Sequence, residues 1–252
     1  MTEKMENAKP LDDFKITIAV PHSYETVYKQ WFASYETLIK PRHVALYFEP
    51  SLPLDVNRNA CVRKAQETDS EYIFFIDHDN VMDPHMLVRL LQYNVPIVGA
   101  LYFERGYPHL PVVYTFPSDE EEEEQGTVKV LHDYPKGLIQ VDVIGLGCSL
   151  FKMEVFEKIP YPWFSYEYKG NKWGTEDIAF FHKAKDYNIP VYIDTEHTCG
   201  HLSVYEVTEG DWLFHKEAYL KEVQKKMQEW NTKSVFLNKG TMDLQKKRNT
   251  DV

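Results

Sequence analysis

The spacing of apolar residues predicts alternating strands and helices at the start of the chain. A β-branched run at 14–20 ends at Pro21 and is typical of a strand. Ser23 is a suitable helix cap, and beyond it apolar side chains recur every three to four positions, as on one face of a helix. These side chains belong to Val27, Trp31, Tyr35 and Leu38. A second strand at 43–48 and a second helix capped by Asp55 complete a β-α-β-α opening.

The next strand, at 72–76, is apolar at every position. That pattern is typical of a central parallel strand whose two faces are both covered by helices. The opening therefore predicts an α/β fold with a Rossmann-like, mostly parallel central sheet and helices on both faces. Asp77, His78 and Asp79 follow this strand directly. Because open α/β sheets bind ligands at the carboxyl ends of their strands, we expect the acidic pair at a binding edge.

A small β-hairpin region is predicted beside this sheet. Its two arms are 111–116 and 127–131, and its tip is the acidic segment 119–124. The later elements are a loop at 160–174, a helix that opens at Thr175, a strand at 191–193 and a loop that carries His201. The chain has no internal repeat and no clear linker. The prediction is therefore one domain at 1–230, followed by a basic and mobile tail at 231–252.

Composition narrows the range of partners. With 43% hydrophobic residues, the 252-residue chain can form a packed core, and its net charge of −11 argues against non-specific binding to nucleic acid. Three cysteines without a CxxC spacing are typical of a reducing compartment. The charged N-terminus and the absence of any apolar run of about 18 residues predict a cytoplasmic protein with no membrane span.

Asp77 and Asp79 are separated by one residue, so both carboxylates can face one hard cation such as Mg²⁺ or Mn²⁺. Such a cation would let an acidic protein hold a diphosphate. An isolated pair of this kind is more often an ordinary acidic turn. The metal interpretation gains weight from the pair Arg58-Asn59, which precedes the apolar strand.

Three motifs in this order resemble those of family-two glycosyltransferases, which have the GT-A fold. They are Arg58-Asn59 ahead of the Asp-x-Asp strand, Trp173-Gly-Thr-Glu176-Asp177, and His201. The resemblance covers roughly residues 14–203, and three motifs in the right order are far more specific than any one of them. It implies that the sheet and the acceptor-side hairpin region together form a GT-A-type domain.

The resemblance also implies a role for each residue. The metal ligands would be Asp77, Asp79 and His201. The nucleotide contacts would be Arg58, Asn59, Asp77 and Trp173. Asp177 would be the general base for an acceptor hydroxyl and Glu176 would orient the acceptor, although the sequence does not separate the roles of these two carboxylates.

These roles imply a metal-dependent, inverting transfer of a sugar from a nucleoside-diphosphate sugar, with a UDP-sugar as the expected donor. The acceptor is open among a glycan, a protein, a lipid and a modified nucleobase. One alternative is a nucleotidyltransferase, but Pro21-His22-Ser23 is not the Gly- and Lys/Arg-rich phosphate loop that such enzymes usually carry. The other is a non-catalytic nucleotide-sugar-binding module of the same fold.

Overall fold

A seven-stranded central sheet organises the fold. The computed structural model describes residues 9–22, 26–117, 128–169, 172–203 and 206–248, and the side chains at all of these positions except 167–173 and 229–248. The strands of the sheet are, in spatial order, β2 (Ala45–Glu49), β1 (Ile16–Pro21), β3 (Tyr72–Ile76), β10 (Cys148–Lys152), β5 (Ile97–Leu101), β13 (Val191–Thr198) and β8 (Leu138–Val141). Five of them run in one direction, whereas β10 and β8 run against their neighbours. The prediction of a mostly parallel sheet is confirmed, and the arrangement is consistent with a Rossmann-like fold.

Six α-helices lie in the described residues. They are α1 (Lys29–Thr37), α2 (Leu54–Glu67), α3 (Met86–Tyr93), α4 (Glu154–Lys158), α5 (Glu176–Asp186) and α6 (Glu209–Arg248). The predicted cap Ser23 lies outside the described residues. The predicted cap Asp55 is wrong by two positions, because Pro53 occupies the cap and Asp55 lies in the first turn of α2. Pro53 suits that place because its φ of −74° is close to the value that the proline ring imposes.

Helices cover both faces of the sheet, as predicted. Every residue of β1, β3 and β5 is buried. Neighbouring residues of a strand point to opposite faces. On one face Phe74 belongs to a core cluster that includes Trp31 of α1. On the other face Phe75 lies edge-on to Phe151, and Phe151 in turn contacts Phe180 of α5 with ring centroids 5.6 Å apart.

The remaining strands form three small sheets. These are β6 (Val113–Thr115) with β7 (Lys129–Val130) and β9 (Val143–Ile144), β11 (Glu167–Lys169) with β12 (Lys172–Gly174), and β4 (Asn80–Val81) with β14 (Gly200–Leu202) and β15 (Glu206–Val207). The antiparallel pair β6 and β7 confirms the predicted hairpin, whose acidic tip at 119–124 lies outside the described residues. The segment 160–174, predicted to be a loop, contains the hairpin of β11 and β12.

His201 lies on β14 and not on the predicted loop. This strand pairs antiparallel with β4, which places His201 opposite Asn80. The amide of Leu202 also donates to the carbonyl oxygen of Asp79 over 2.7 Å. A partner strand of two residues has too little periodicity to be recognised in the sequence. These backbone hydrogen bonds hold the strand that carries His201 next to Asp79.

The chain divides into two compact units. The first ends at Glu209 and holds the sheets and α1 to α5. The second begins at Gly210 and is formed by α6, which continues past position 230 to Arg248. The predicted domain boundary at 230 and the mobility of 231–252 stay predictions. No helix in the described part of the chain is both long and apolar enough to cross a membrane.

Candidate functional site

Arg58 joins two of the predicted motifs through ion pairs. It lies on α2, and only 4% of its side chain is exposed. Its Nε donates to Glu176 Oε1 over 3.1 Å, and its Nη2 donates to Asp77 Oδ1 over 3.3 Å. The guanidinium also lies over the ring of Phe75, with Cζ 5.5 Å from the ring centroid. The carboxyl end of β3 and the start of α5 therefore meet at one buried cation.

The charges in this cluster keep Arg58 ionised. Burial alone would lower the pKa of its guanidinium, but the carboxylates of Asp77, Glu176 and Asp177 raise that pKa. Burial also raises the pKa of Glu176, and Arg58 opposes this effect while the charge of Asp177 adds to it. Desolvation offsets much of the attraction in a buried ion pair. The main effect of Arg58 is therefore to fix the positions of the Asp77 and Glu176 carboxylates.

Asp177 and Glu176 have different surroundings although they are adjacent. Both lie in the first turn of α5, behind Thr175 at the cap position, where the helix dipole favours negative charge. Glu176 is 4% exposed and turned towards Arg58. Asp177 is half-buried, and its Oδ1 accepts hydrogen bonds from the Thr175 hydroxyl and the Ile178 amide. Of the two carboxylates, Asp177 is the more accessible to solvent.

Asp79 is buried between an arginine and a histidine. Its Oδ2 lies 3.0 Å from Arg105 Nη1 and 3.6 Å from His201 Nε2. His201 Nδ1 is 2.7 Å from the carbonyl oxygen of Phe103. A carbonyl can only accept, so Nδ1 carries a proton and Nε2 faces Asp79. Burial acts to raise the pKa of Asp79, but the nearby His201 and Arg105 outweigh it and lower that pKa.

Asp79 and His201 fit a divalent cation. A carboxylate oxygen and an imidazole nitrogen are both ligands that Mn²⁺ accepts. Neighbouring ligands of a small octahedral ion stand about 3 Å apart, which is close to the observed 3.6 Å. The bond from Nδ1 to Phe103 is the kind of contact that orients a metal-binding histidine.

In the part of the chain that the structure describes, the side chains by themselves do not supply a complete metal site. Asp77 is turned towards Arg58, and no three His, Cys, Asp or Glu side chains within the described ranges are arranged to hold an ion. The remaining ligands would be diphosphate oxygens and water, as is usual for Mg²⁺ in phosphate-binding sites. The metal roles of Asp77, Asp79 and His201 all stay predictions.

The resemblance implies that His201 is a metal ligand, so we expect His201→Ala to raise the Mn²⁺ concentration needed for half-maximal nucleotide binding by about 10-fold or more. A Mn²⁺ titration at fixed nucleotide, followed by calorimetry, measures this change. His85→Ala is the control, since His85 is an exposed histidine near Asp83. An unchanged titration for His201→Ala would show that this histidine has no part in metal binding.

The glycine segment at 145–148 holds the backbone of Asp77 through a hydrogen bond. The Asp77 amide donates to the carbonyl oxygen of Gly147 over 2.9 Å, and the Gly147 amide donates to Tyr102 Oη over 3.2 Å. A Cβ atom at Gly147 would clash with the buried side chain of Asn80, so a larger residue would force Asn80 to move. The segment therefore fixes the backbone from which Asp77 projects.

Asn59 holds a loop in place. Its Nδ2 donates to the carbonyl oxygens of Asp55 and Phe164, and its Oδ1 accepts from the amides of Trp163 and Phe164. Its amide is therefore fully engaged by the protein, and its contact with a nucleotide stays a prediction. Trp173 lies on β12 with its side chain outside the described residues, and its nucleotide role likewise stays a prediction.

A cavity of about 350 Å³ opens beside Asp79. Its lining residues are Thr26, Val27, Tyr28, His78 and Arg105. The rings of Tyr28 and His78 stack with centroids 6.1 Å apart. The His78 ring also contacts the His22 ring, with centroids 4.6 Å apart. The volume is within the range of small-molecule sites. Sequence analysis missed Tyr28 and Arg105, because neither belongs to a motif and only the fold brings them to Asp79 and His78.

Comparisons with known proteins agree with the fold. No protein-family model and no curated protein matches the chain. Solved structures do match, and one of them is the crystal structure of A197 from STIV. It aligns with a TM-score of 0.52 and 17% identity over 75% of this chain and 86% of that chain. An identity this low supports a shared α/β architecture and carries no information on the chemistry of the site.

Proposed function

We propose that the chain is a glycosyltransferase of the GT-A type, which transfers a sugar from a nucleoside-diphosphate sugar to an acceptor hydroxyl with inversion. A UDP-sugar is the expected donor. Asp79 and His201 would hold Mn²⁺ or Mg²⁺ together with the donor diphosphate, and Asp177 would be the general base. The acceptor, whether a glycan, a protein, a lipid or a modified nucleobase, is left open by this proposal.

The ion pairs of Arg58 are the observation that carries the proposal. They bring Asp77, predicted at the donor, and Glu176, predicted at the acceptor, to the same buried guanidinium. Because desolvation makes a buried ion pair costly, an arginine shared by these two carboxylates supports a specific arrangement of the acidic turn and the helix N-terminus rather than a chance contact. The arrangement supports a single site in which donor and acceptor lie side by side.

The positions of the carboxylates support a division of the chemistry. As the hydroxyl oxygen of the acceptor bonds to the anomeric carbon, Asp177 takes the hydroxyl proton. The sugar–phosphate bond breaks at the same time, and its electron pair leaves with the diphosphate. A divalent cation, when bound, would stabilise the charge that grows there. A base on the side opposite the leaving group gives a product of inverted anomeric configuration.

Nucleotide binding tests the proposal. We expect calorimetry to show binding of UDP or GDP in Mn²⁺ and an affinity at least about 10-fold lower in EDTA, because an acidic protein must neutralise a diphosphate locally. Asp79→Asn should lower the nucleotide affinity by a similar factor when Mn²⁺ is present. Asp83→Asn is the matched control, since Asp83 pairs with Arg89 on α3. This substitution should change the nucleotide affinity by no more than about two-fold.

Each outcome separates the alternatives. Equal affinity in EDTA would exclude the metal from nucleotide binding. The absence of binding to any nucleoside diphosphate would exclude a nucleotide-sugar donor altogether. Binding of the donor without release of nucleoside diphosphate would leave the non-catalytic module as the better description, whereas release of pyrophosphate from a nucleoside triphosphate would favour a nucleotidyltransferase.

A further inference from the structure

The segment after β5 carries Arg105, one of the residues that line the cavity. Backbone hydrogen bonds brace this segment, from Glu104 N to Leu110 O over 2.8 Å and from His109 N to Gly106 O over 2.7 Å. The base of the segment is therefore fixed, while about half of the Arg105 side chain is exposed. Arg105 can change its partner through rotations of its own side chain.

Arg105 faces two environments at once. Its Nη1 lies 3.0 Å from Asp79 Oδ2. The same side chain lines the cavity together with His78 and Tyr28. The guanidinium is therefore positioned between the carboxylate proposed to bind a cation and the open space of the cavity.

A guanidinium and a divalent cation compete for the same carboxylate. Both are attracted to Asp79 Oδ2, and two positive groups at that distance repel each other. Once the cation is at Asp79, Arg105 loses its partner and needs another anion. A diphosphate supplies one, since the planar fork of arginine matches the geometry of phosphate oxygens.

We propose that Arg105 is a diphosphate-binding residue that exchanges partners when the ligand enters. Without ligand it neutralises Asp79, and with ligand the cation takes its place at Asp79 while the guanidinium binds the diphosphate. This inference rests on the proposed function, because it needs a nucleoside diphosphate and a cation at the same site. It adds a protein residue that couples the two binding events.

The exchange has opposite consequences for the two ligands. In the absence of nucleotide, Arg105 lowers the affinity for the cation, because the cation must displace it from Asp79. In the presence of the cation, Arg105 raises the affinity for the diphosphate. A residue that merely supports the local structure would change both affinities in the same direction when it is removed.

Arg105→Ala tests this inference with two measurements on the full chain. We expect Mn²⁺ alone, followed by electron paramagnetic resonance, to bind roughly two- to five-fold more tightly, the size of effect of a half-exposed ion pair. We expect UDP or GDP in saturating Mn²⁺, followed by calorimetry, to bind at least about 10-fold more weakly, the loss of a charge-assisted hydrogen bond. Arg89→Ala is the matched control, because Arg89 also pairs with one aspartate but lies on α3 and does not line the cavity.

Opposite shifts in Arg105→Ala, with neither shift in Arg89→Ala, would support the exchange of partners. Unchanged affinities, or two affinities that fall together, would overturn it while leaving metal-dependent nucleotide binding by the unmodified chain intact. If the unmodified chain binds no nucleoside diphosphate at any Mn²⁺ concentration, the proposed function itself fails, and the inference fails with it.

Discussion

Asp177→Asn is expected to abolish sugar transfer and leave nucleotide-sugar binding nearly intact. A general base acts on the proton of the acceptor hydroxyl and makes no contact with the donor diphosphate. The value of kcat should therefore fall by roughly 10² or more, while the donor Kd stays within about two-fold. Asparagine keeps an oxygen that can accept from Thr175 and Ile178, so the helix start is preserved. Nucleotide release from the donor and calorimetry give the two quantities.

Two further variants sharpen this experiment. Asp186→Asn removes an exposed carboxylate from the last turn of the same helix and should leave kcat unchanged. Glu176→Gln should raise the acceptor KM as well as lower kcat, if Glu176 orients the acceptor. The assignment of Asp177 fails if Asp177→Asn keeps most of the activity. It also fails if the product retains the anomeric configuration of the donor, since retention needs no base on that face.

Arg58→Met should have the largest effect on stability. The substitution leaves Asp77 and the buried Glu176 without their cation, which typically costs about 3–5 kcal/mol of the free energy of unfolding. Chemical denaturation at neutral pH measures this quantity. Arg63→Met, on the same helix but exposed, is the control and should change the free energy of unfolding by no more than about 0.5 kcal/mol.

The stability loss in Arg58→Met should depend on pH. Burial raises the pKa of Glu176, and removal of Arg58 takes away the effect that opposes this rise. Below the pKa of the unfolded chain, about 4.3, Glu176 is protonated in both states and its contribution disappears. Between the pKa of Glu176 in the unfolded chain and its higher pKa in the folded chain, the carboxyl is ionised only in the unfolded state. The free energy of unfolding therefore falls as the pH rises through this range.

The deficit of Arg58→Met should therefore be smaller at acidic than at neutral pH, and Glu176→Gln in the same chain should remove most of the pH dependence. Proximity makes the two substitutions non-additive, which a double-mutant cycle detects. A deficit below about 1 kcal/mol, or one that is independent of pH, would show that the ion pairs of Arg58 do not anchor the site.

The local part of this site could be predicted from the sequence. The composition of β3 predicts a buried strand, and the sequence places Asp77 and Asp79 directly after it. The geometry of parallel sheets then puts both residues at the edge where ligands bind. The helix start at Thr175 is equally local, because cap and first-turn residues have characteristic preferences. These features depend on neighbours within a few residues along the chain.

The non-local part could not be predicted in the same way. The contact of Arg105 with Asp79 joins segments that no periodicity relates. The motif predicts that Asn59 contacts the nucleotide. In the structure, its side-chain amide makes hydrogen bonds to the backbone at 163–164 and to the backbone of its own helix. The pairing of β14 with β4 depends on a bridge of two residues, and the antiparallel strand β10 has no local feature that distinguishes it from a parallel one.

The central place of β10 has a consequence for the order in which the chain can assemble. This strand lies between β3 and β5, although both precede it in the chain. While the protein is being synthesised, β3 has one open edge and β5 has no partner until β10 leaves the ribosome, and β5 keeps one open edge until β13 follows. Open edges of apolar strands pair readily with other chains. A truncated fragment that ends near Leu101 should therefore aggregate, and a fragment intended for expression must extend beyond Thr198 to complete the sheet.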